Sequence, residues 1–267
     1  MSVDRPMITV ITDFGDGHYT GALKGAILNV CPDTQIVDIT HDCTAHDVEE
    51  AAFTLLCIYP YYPLNTIHLV VVDPGVGSER RGIVVSTGKH YFVGPDNGVF
   101  SFVYARERVQ EVVSIESSKY FRPEVSPTFH GRDIFAPVAA WLARGTPLKE
   151  FGTEITDYVQ MDVSMVQKNG ENLLSGSVIY IDRFGNIITN FSPEETHRLL
   201  GKHGTPNFVI KGRKIKKHCR FYAEADAEEL FSLVGSSGHY EIVAQNRSAA
   251  EILNVNRGET VELKFQG

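Results

Sequence analysis

Cysteine is scarce in this chain, and positive charge is outweighed by negative. The four cysteines, Cys31, Cys43, Cys57 and Cys219, form no C-x-x-C pair and no zinc-ligand spacing. Neither a disulfide framework nor a structural zinc site is implied, and reduced thiols in a cytoplasmic protein are expected. Lys and Arg number 25 against 33 Asp and Glu, a formal charge of −8, which counts against nonspecific nucleic-acid binding. The basic run Lys211-Gly212-Arg213-Lys214-Ile215-Lys216-Lys217-His218 is expected to form a solvated hairpin rather than a nucleic-acid patch. No apolar stretch approaches the length that crosses a bilayer, so no membrane partner is expected. A strand pattern starting at Ile8 leaves no room for a signal peptide. Walker A and G-x-S-x-G sequences are both missing, against nucleoside triphosphatase and serine hydrolase readings. His41, Asp42, His46 and Asp47, with Asp13, Asp16 and His18, resemble hydrolytic metal ligands. They lack H-E-x-x-H or comparable spacing, and no metal site is expected from them.

What is present is an ordinary globular composition, 43% apolar and 22% charged over 267 residues, with length for one large or two smaller domains. The first half alternates strand and helix. Ile8 to Thr12, Gln35 to Ile39 and His68 to Val72 read as strands. Tyr19 to Val30 and Asp47 to Tyr59 read as helices, the second with apolar residues at i, i+3, i+4 spacing. Such alternation predicts a mostly parallel sheet with helices on both faces. Ile83 to Val93 reads as a hairpin about Gly88-Lys89, and Arg132 to Arg144 as a further helix. After about residue 165 the pattern changes to short strand-like runs, among them Gly176 to Ile181, Asn186 to Asn190, Tyr240 to Val243 and Val261 to Phe265. The fold class is therefore α/β, with an N-terminal domain over 1–165 and a smaller antiparallel β domain over 166–267.

The most informative stretch is Val70-Val71-Val72-Asp73-Pro74-Gly75-Val76-Gly77-Ser78-Glu79-Arg80-Arg81. A β-branched run ends in a carboxylate on the edge of the sheet where α/β proteins bind ligands. A short glycine loop then returns an arginine towards the acid. No third glycine stands at dinucleotide-motif spacing, and a strand rather than a helix follows. Asp13 ends the first strand as Asp73 ends the third, so both acids belong on one rim; Asp13 suits a ribose diol, or else caps the nearby helix. His130, in Thr128-Phe129-His130-Gly131-Arg132-Asp133, lies just before a helix start, where free N–H groups favour anions, or else is a surface or capping residue. In the second half, Asp182-Arg183-Phe184-Gly185-Asn186 reads as a turn whose Phe184 can stack on a base while Asn186 reads its edge. Ser236-Ser237-Gly238 reads as a plain turn or a small hydroxyl-lined anion site.

Together, Ile11-Thr12-Asp13-Phe14-Gly15, Val48-Glu49-Glu50-Ala51, Val72-Asp73-Pro74-Gly75-Val76-Gly77, Gly94-Pro95-Asp96-Asn97-Gly98, Thr128-Phe129-His130-Gly131-Arg132-Asp133, Phe184-Gly185-Asn186 and Gly235-Ser236-Ser237-Gly238 resemble the S-adenosyl-L-methionine hydroxide adenosyltransferases. These adenosine-forming hydrolases are related to fluorinating and chlorinating enzymes that use the same substrate. The resemblance runs in order over nearly the whole chain. It implies hydrolysis of S-adenosyl-L-methionine to adenosine and L-methionine by in-line attack of water at ribose C5′. It also implies a homotrimer with its sites at subunit interfaces. No cofactor is implied, because S-adenosyl-L-methionine is the substrate. By motif matching, Asp73, Arg80 and His130 correspond to the water-orienting trio and Asp13 to the ribose ligand. Phe184 and Asn186 match adenine contacts, with Asn246 and Arg247 near the base through their main chain and Tyr222 as an aromatic wall. Asp182, Ser236 and Ser237 match the methionine end, with Ser237 standing where some relatives carry an arginine. The halide-using relatives place a tyrosine where this chain has Asp73. The competing functions are a binding sensor without turnover and a chlorinase-like halogenase.

Overall fold

The computed structural model describes residues 5–161, 166–201, 204–226 and 229–265. The chain forms two compact units, Met1–Met161 and Asp162–Gly267.

In chain order the first unit contains β1 (Met7–Thr12), α1 (His18–Val30), β2 (Gln35–Thr40), α2 (Val48–Ile58), β3 (Ile67–Val71), β4 (Gly82–Ser86), β5 (Tyr91–Pro95), α3 (Ser101–Arg106), β6 (Glu111–Ser114) and α4 (Ala136–Ala143). The sheet order is β2-β1-β3-β5-β4-β6. β1 runs parallel to β2 and β3, and β3 parallel to β5, while β4 is antiparallel to β5 and β6. Alternation along the buried strands sends Ile8, Val10, Leu69 and Val71 into one core with Leu23 and Ile27 of α1 and Val138 and Ala139 of α4. On the opposite face, α2 contacts β1 and α3. The parallel sheet covered by helices follows because its strands lack a polar face to give to water.

Two local departures bear on function. The helix expected over Arg132–Arg144 begins instead as a single π-helical turn, Gly131–Phe135, before α4. Its widened spiral carries Asp133, whose carboxylate is fully buried. Asp13 does not cap α1; Gly17 occupies the N-cap position and no side-chain cap bond is made there. Asp47 does cap α2, its Oδ1 accepting from Glu50 N–H at 2.9 Å.

The second unit contains β7 (Gln167–Lys168), β8 (Leu174–Ile181), β9 (Ile187–Thr189), α5 (Pro193–Leu200), β10 (Pro206–Ile210), β11 (Arg213–Ile215), β12 (Lys217–His218), β13 (Leu230–Val234), β14 (Tyr240–Ala244), α6 (Ala249–Leu253) and β15 (Thr260–Phe265). Its nine-stranded sheet has the order β11-β10-β15-β8-β9-β14-β13-β12, with β7 on β8. Pairing is antiparallel except between β12 and β13. The basic run forms the β10–β11 hairpin and leads into β12. Leu174, Val178, Ile187, Phe191, Phe208 and Ile242 build the main core. Phe231, Leu233 and Val243 build a smaller cluster with Cys219 and Ala225.

Candidate active site

In the first unit, adjacent parallel strands β1 and β3 deliver Asp13 and Asp73 to the same carboxyl edge. The loop after β3 turns tightly, with Ser78 N–H donating to Gly75 C=O at 3.0 Å and Ser78 Oγ to the same oxygen at 2.7 Å. Gly77 is held at φ +79°, and a Cβ there would lie 2.5 Å from the Pro127 carbonyl oxygen. Glycine at this position lets the two loops that carry Arg80 and His130 touch. Arg80 then reaches back to Asp73: Nε donates to Oδ1 at 2.9 Å and Nη2 to Oδ2. Both side chains are largely buried, with 13% and 6% of their surfaces exposed, so the pair is little screened by solvent.

Arg80 Nη2 also lies 2.9 Å from His130 Nδ1. A guanidinium can only donate, which assigns the lone pair to Nδ1 and the proton to Nε2 of a neutral imidazole. Burial and the Arg80 charge hold the His130 pKa below its ordinary value, against the opposing pull of Asp73 and Asp133. The guanidinium is braced from below by Phe135, whose ring centroid is 5.1 Å from Cζ. Asp133 fixes the His130 loop. It accepts from Arg132 Nε and Nη2 at 2.7 and 2.8 Å and from Ser126 N–H at 2.9 Å. Burial would raise its pKa, but the Arg132 bonds and the Ser126 N–H hold it below the usual carboxylate range.

A cavity of about 350 Å³ opens on this edge, lined by Asp13, Asp73, His130 and Gly131 with Phe14, Tyr19 and Phe129 among its walls. The three aromatic rings pack edge-on or tilted, with centroids 5.2 to 6.2 Å apart. Asp13 Oδ2 accepts from the His46 backbone N–H at 2.9 Å, which sets the carboxylate's orientation and leaves Oδ1 for a ligand. Three further residues support the site. His46, at φ +68°, belongs to the Asp13 side of the cavity through its backbone. Asn97 Nδ2 donates to the Val72 C=O at 3.0 Å, while Asp96 Oδ2 accepts from Arg81 Nε and Nη2 at 3.1 and 2.8 Å. These neighbours anchor both ends of the Asp73–Arg80 loop, and their clustering in Gly-Pro-Asp-Asn-Gly is the available sequence signal. Among the described residues no cluster of three or more His, Cys, Asp or Glu could hold a metal ion.

The second unit carries its own cavity of about 730 Å³, lined by Asp182, Phe184, Asn186, Tyr222, Asn246 and Arg247 among others. Asp182 organises one wall: Oδ1 accepts from the Phe184 and Asn186 N–H groups at 2.8 and 2.9 Å, and Oδ2 from Asn186 Nδ2 at 2.8 Å. That turn holds Phe184 outward, 71% exposed, as an apolar platform at the cavity. Asn246 sits at φ +57° in the turn that follows β14. Ser236 and Ser237 do not line this cavity. They occupy the β13–β14 turn, where His239 Nδ1 lies 3.1 Å from the Ser237 carbonyl oxygen and 3.4 Å from its Oγ. Glu241, not expected to contribute, lies beneath that turn and accepts from Tyr222 Oη at 3.4 Å.

An acid locked to a guanidinium, beside a neutral imidazole on the carboxyl edge of a parallel sheet, defines a site that can orient a small protic nucleophile. A separate aromatic cavity in a β-rich unit suits a flat, partly apolar ligand. The chain belongs to the S-adenosyl-L-methionine hydroxide adenosyltransferase family: the family's N-terminal domain matches residues 8–152 and its C-terminal domain residues 176–262. An (R)-S-adenosyl-L-methionine hydrolase of Methanocaldococcus jannaschii is 33% identical, covering 97% of this chain and 96% of the relative. A fluorinase of Nocardia brasiliensis is 27% identical, covering 97% of each. A crystal structure of an uncharacterized conserved protein from Thermotoga maritima superposes with a TM-score of 0.89 at 34% identity, covering 97% of this chain and 100% of that one.

Proposed function

We infer that the protein hydrolyses S-adenosyl-L-methionine to adenosine and L-methionine. The observation that carries this reading is the Asp73–Arg80–His130 constellation, in a chain of this family that is similar along its length to named hydrolases. Asp73 has both oxygens engaged by Arg80, yet each keeps a second lone pair. Those lone pairs can accept from a water, and His130 Nε2–H can donate to the water oxygen. The water so held attacks the ribose C5′. Its oxygen forms the new bond, the C5′–sulfur bond breaks, the electron pair leaves on the methionine thioether, and the excess proton passes to Asp73. A carboxylate is a weak base, but water bound to carbon becomes strongly acidic late in the reaction. Positioning is then the main contribution of the trio. The sulfonium is itself an activated leaving group, so the displacement calls for no metal or cofactor.

The remaining assignments follow the same reading. Asp13 holds the ribose diol, and Phe184, Asn186, Tyr222 and the Asn246–Arg247 backbone hold adenine. Methionine lies towards Asp182 and the turn of Ser236 and Ser237. The assembly is a cytoplasmic homotrimer with its active sites at subunit interfaces. No helix among the described residues is long and apolar enough to cross a membrane. The experiment is product analysis by chromatography, with both sulfonium epimers supplied, because the relatives' name specifies the (R) form. Adenosine and methionine in equal amounts are expected. Unchanged bound substrate would identify a sensor, and 5′-halo-adenosine at high halide would identify a halogenase; either overturns the reading.

A further inference from the structure

His41 groups in sequence with residues that resemble metal ligands, and the proposed reaction gives it no task. It is buried, just past the end of β2. The β1–β2 register slips between Val10 and Ile11, where β2 gains one residue, Ile39. Such an irregularity re-aims the side chains that follow it. His41 Nδ1 lies 2.8 Å from Thr12 Oγ1. On the other side of the ring, Nε2 lies 3.2 Å from Asp38 Oδ1, within ion-pair distance but not aligned as a hydrogen bond. Lys24 of α1 donates to Asp38 Oδ2. Burial would raise the Asp38 pKa, but Lys24 and then His41 hold it below the usual carboxylate range.

These contacts give the row of groups one direction. In the neutral ring a lone pair on Nε2 would be repelled by the Asp38 carboxylate, so the proton belongs there and Nδ1 keeps its lone pair. The Thr12 hydroxyl then donates its single proton to Nδ1. Its own lone pairs are left to accept, and Phe14 N–H donates to Thr12 Oγ1 at 3.3 Å. The His41 main chain adds a second tie, its C=O accepting from Gly15 N–H at 2.8 Å. Asp13 stands between Thr12 and Phe14, so the backbone on either side of it is held through one histidine.

We propose that His41 is a positioning residue for the ribose site: held by Asp38, it turns the Thr12 lone pairs towards Phe14 N–H and so fixes the loop from which Asp13 meets the diol. This role rests on the S-adenosyl-L-methionine reading and deepens it at the Asp13 end. Neither His41 nor Thr12 lines the first-unit cavity, so their effect passes through Asp13. A nucleoside without the diol makes no use of it.

The test is calorimetric titration of the full-length protein with adenosine and with 2′,3′-dideoxyadenosine, which lacks the diol. The unsubstituted protein is expected to prefer adenosine by about ten- to hundredfold, the scale of a hydrogen bond to a charged group. Thr12→Val keeps the shape and removes the hydroxyl; His41→Phe keeps a ring and removes both nitrogens. Each should weaken adenosine by about three- to tenfold, the scale of one neutral hydrogen bond, with dideoxyadenosine unchanged within about twofold. Binding of dideoxyadenosine also shows that each variant is folded. Thr12→Ser should restore the native preference, and Asp38→Asn, at a half-exposed position, should fall between. Equal weakening of both nucleosides, a native preference in T12V and H41F, or a T12S variant as weak as T12V would overturn the role of His41 alone. An unsubstituted protein that does not prefer adenosine rejects the ribose reading of Asp13, and the role of His41 with it.

Discussion

Replacing Asp73 by asparagine is the sharpest probe of the trio, because it removes charge with almost no change in shape. In the native site the carboxylate accepts from both Nε and Nη2 of Arg80. An asparagine can offer its single oxygen to one of these donors, but its NH2 group then opposes the other. One charge-assisted bond is lost, the second becomes charge–neutral, and a largely buried guanidinium loses its counter-ion. At about 1.5–3 kcal/mol for a hydrogen bond to a charged group, the expected destabilisation is about 2–4 kcal/mol. For a unit of this size that corresponds to a fall in Tm of roughly 5–15 °C. Turnover should suffer more, because the water loses both its acceptor and the group that takes its proton, a contribution of about a hundred- to ten-thousandfold. Adenosine binding should persist, since Asp13, just past the adjoining strand β1, keeps its contact with the His46 backbone. The assays are thermal denaturation, calorimetry with adenosine and product formation by chromatography. Turnover within about tenfold of the unsubstituted protein would refute the role of Asp73. So would a loss of adenosine affinity that matches the loss of activity.

Two further outcomes follow from the frame around the site. Gly77→Ala meets both a left-handed φ and the Pro127 carbonyl oxygen, so it should cost about 1–3 kcal/mol and displace Arg80, lowering turnover beyond any change in stability. Gly258→Ala supplies the control, having a φ of +83° but nothing within 4 Å; equal activity losses in the two variants would show that the close approach is irrelevant. His68 is buried against His90, which faces it, with Thr9 Oγ1 2.8 Å from its Nδ1. Burial, then His90, pushes its pKa down to about 3 from 6.5. The folded state therefore favours neutral imidazole: stability is complete above about 6.5 and falls with acid towards the folded value, at about 1.4 kcal/mol per pH unit. Denaturant titrations from pH 7 to about 4 should show that slope in the unsubstituted protein and a shallower one in His68→Phe, which retains the stack on Phe92. Identical slopes would show that His68 is not the source.

Much of this was legible in the residues, and each missing part has its own physical cause. Asp13 and Asp73 could be placed on one rim because buried β-branched runs end just before them and parallel strands align their carboxyl ends. Arg80 could be paired with Asp73 because a glycine-rich loop of that length has little choice but to return. His46 left no comparable trace, since it contributes a backbone N–H from a polar loop whose conformation no periodicity reports. The turn at Gly131–Phe135 was hidden for another reason: one widened turn shifts the register by a residue, while apolar spacing still reads as helix. Ser236-Ser237-Gly238 reads from composition as a plain turn or an anion site, and in the fold it forms the β13–β14 turn with Ser237 beside His239. Glu241 lies in the run Tyr240 to Val243, which reads as a strand with no sign of which residues it faces. It accepts from Tyr222, nineteen residues earlier, and no local pattern carries such a contact.

The choice of nucleophile follows from which hydrogen-bonding groups remain unspent around Asp73. Three of the five Arg80 N–H groups are committed, two to Asp73 and one to His130. The guanidinium therefore presents little of its donor fork to an anion. What the trio offers instead is a carboxylate with spare lone pairs and an imidazole Nε2–H, a complementary acceptor and donor. Water satisfies both at once, by donating to the acid and accepting from the imidazole. A halide can accept from the imidazole but has no proton to give, so it meets the carboxylate with repulsion where water makes a hydrogen bond. Selectivity for water then comes from a single feature, the negative acceptor at position 73, and the arginine keeps that acceptor in place at the cost of its own capacity to bind anions.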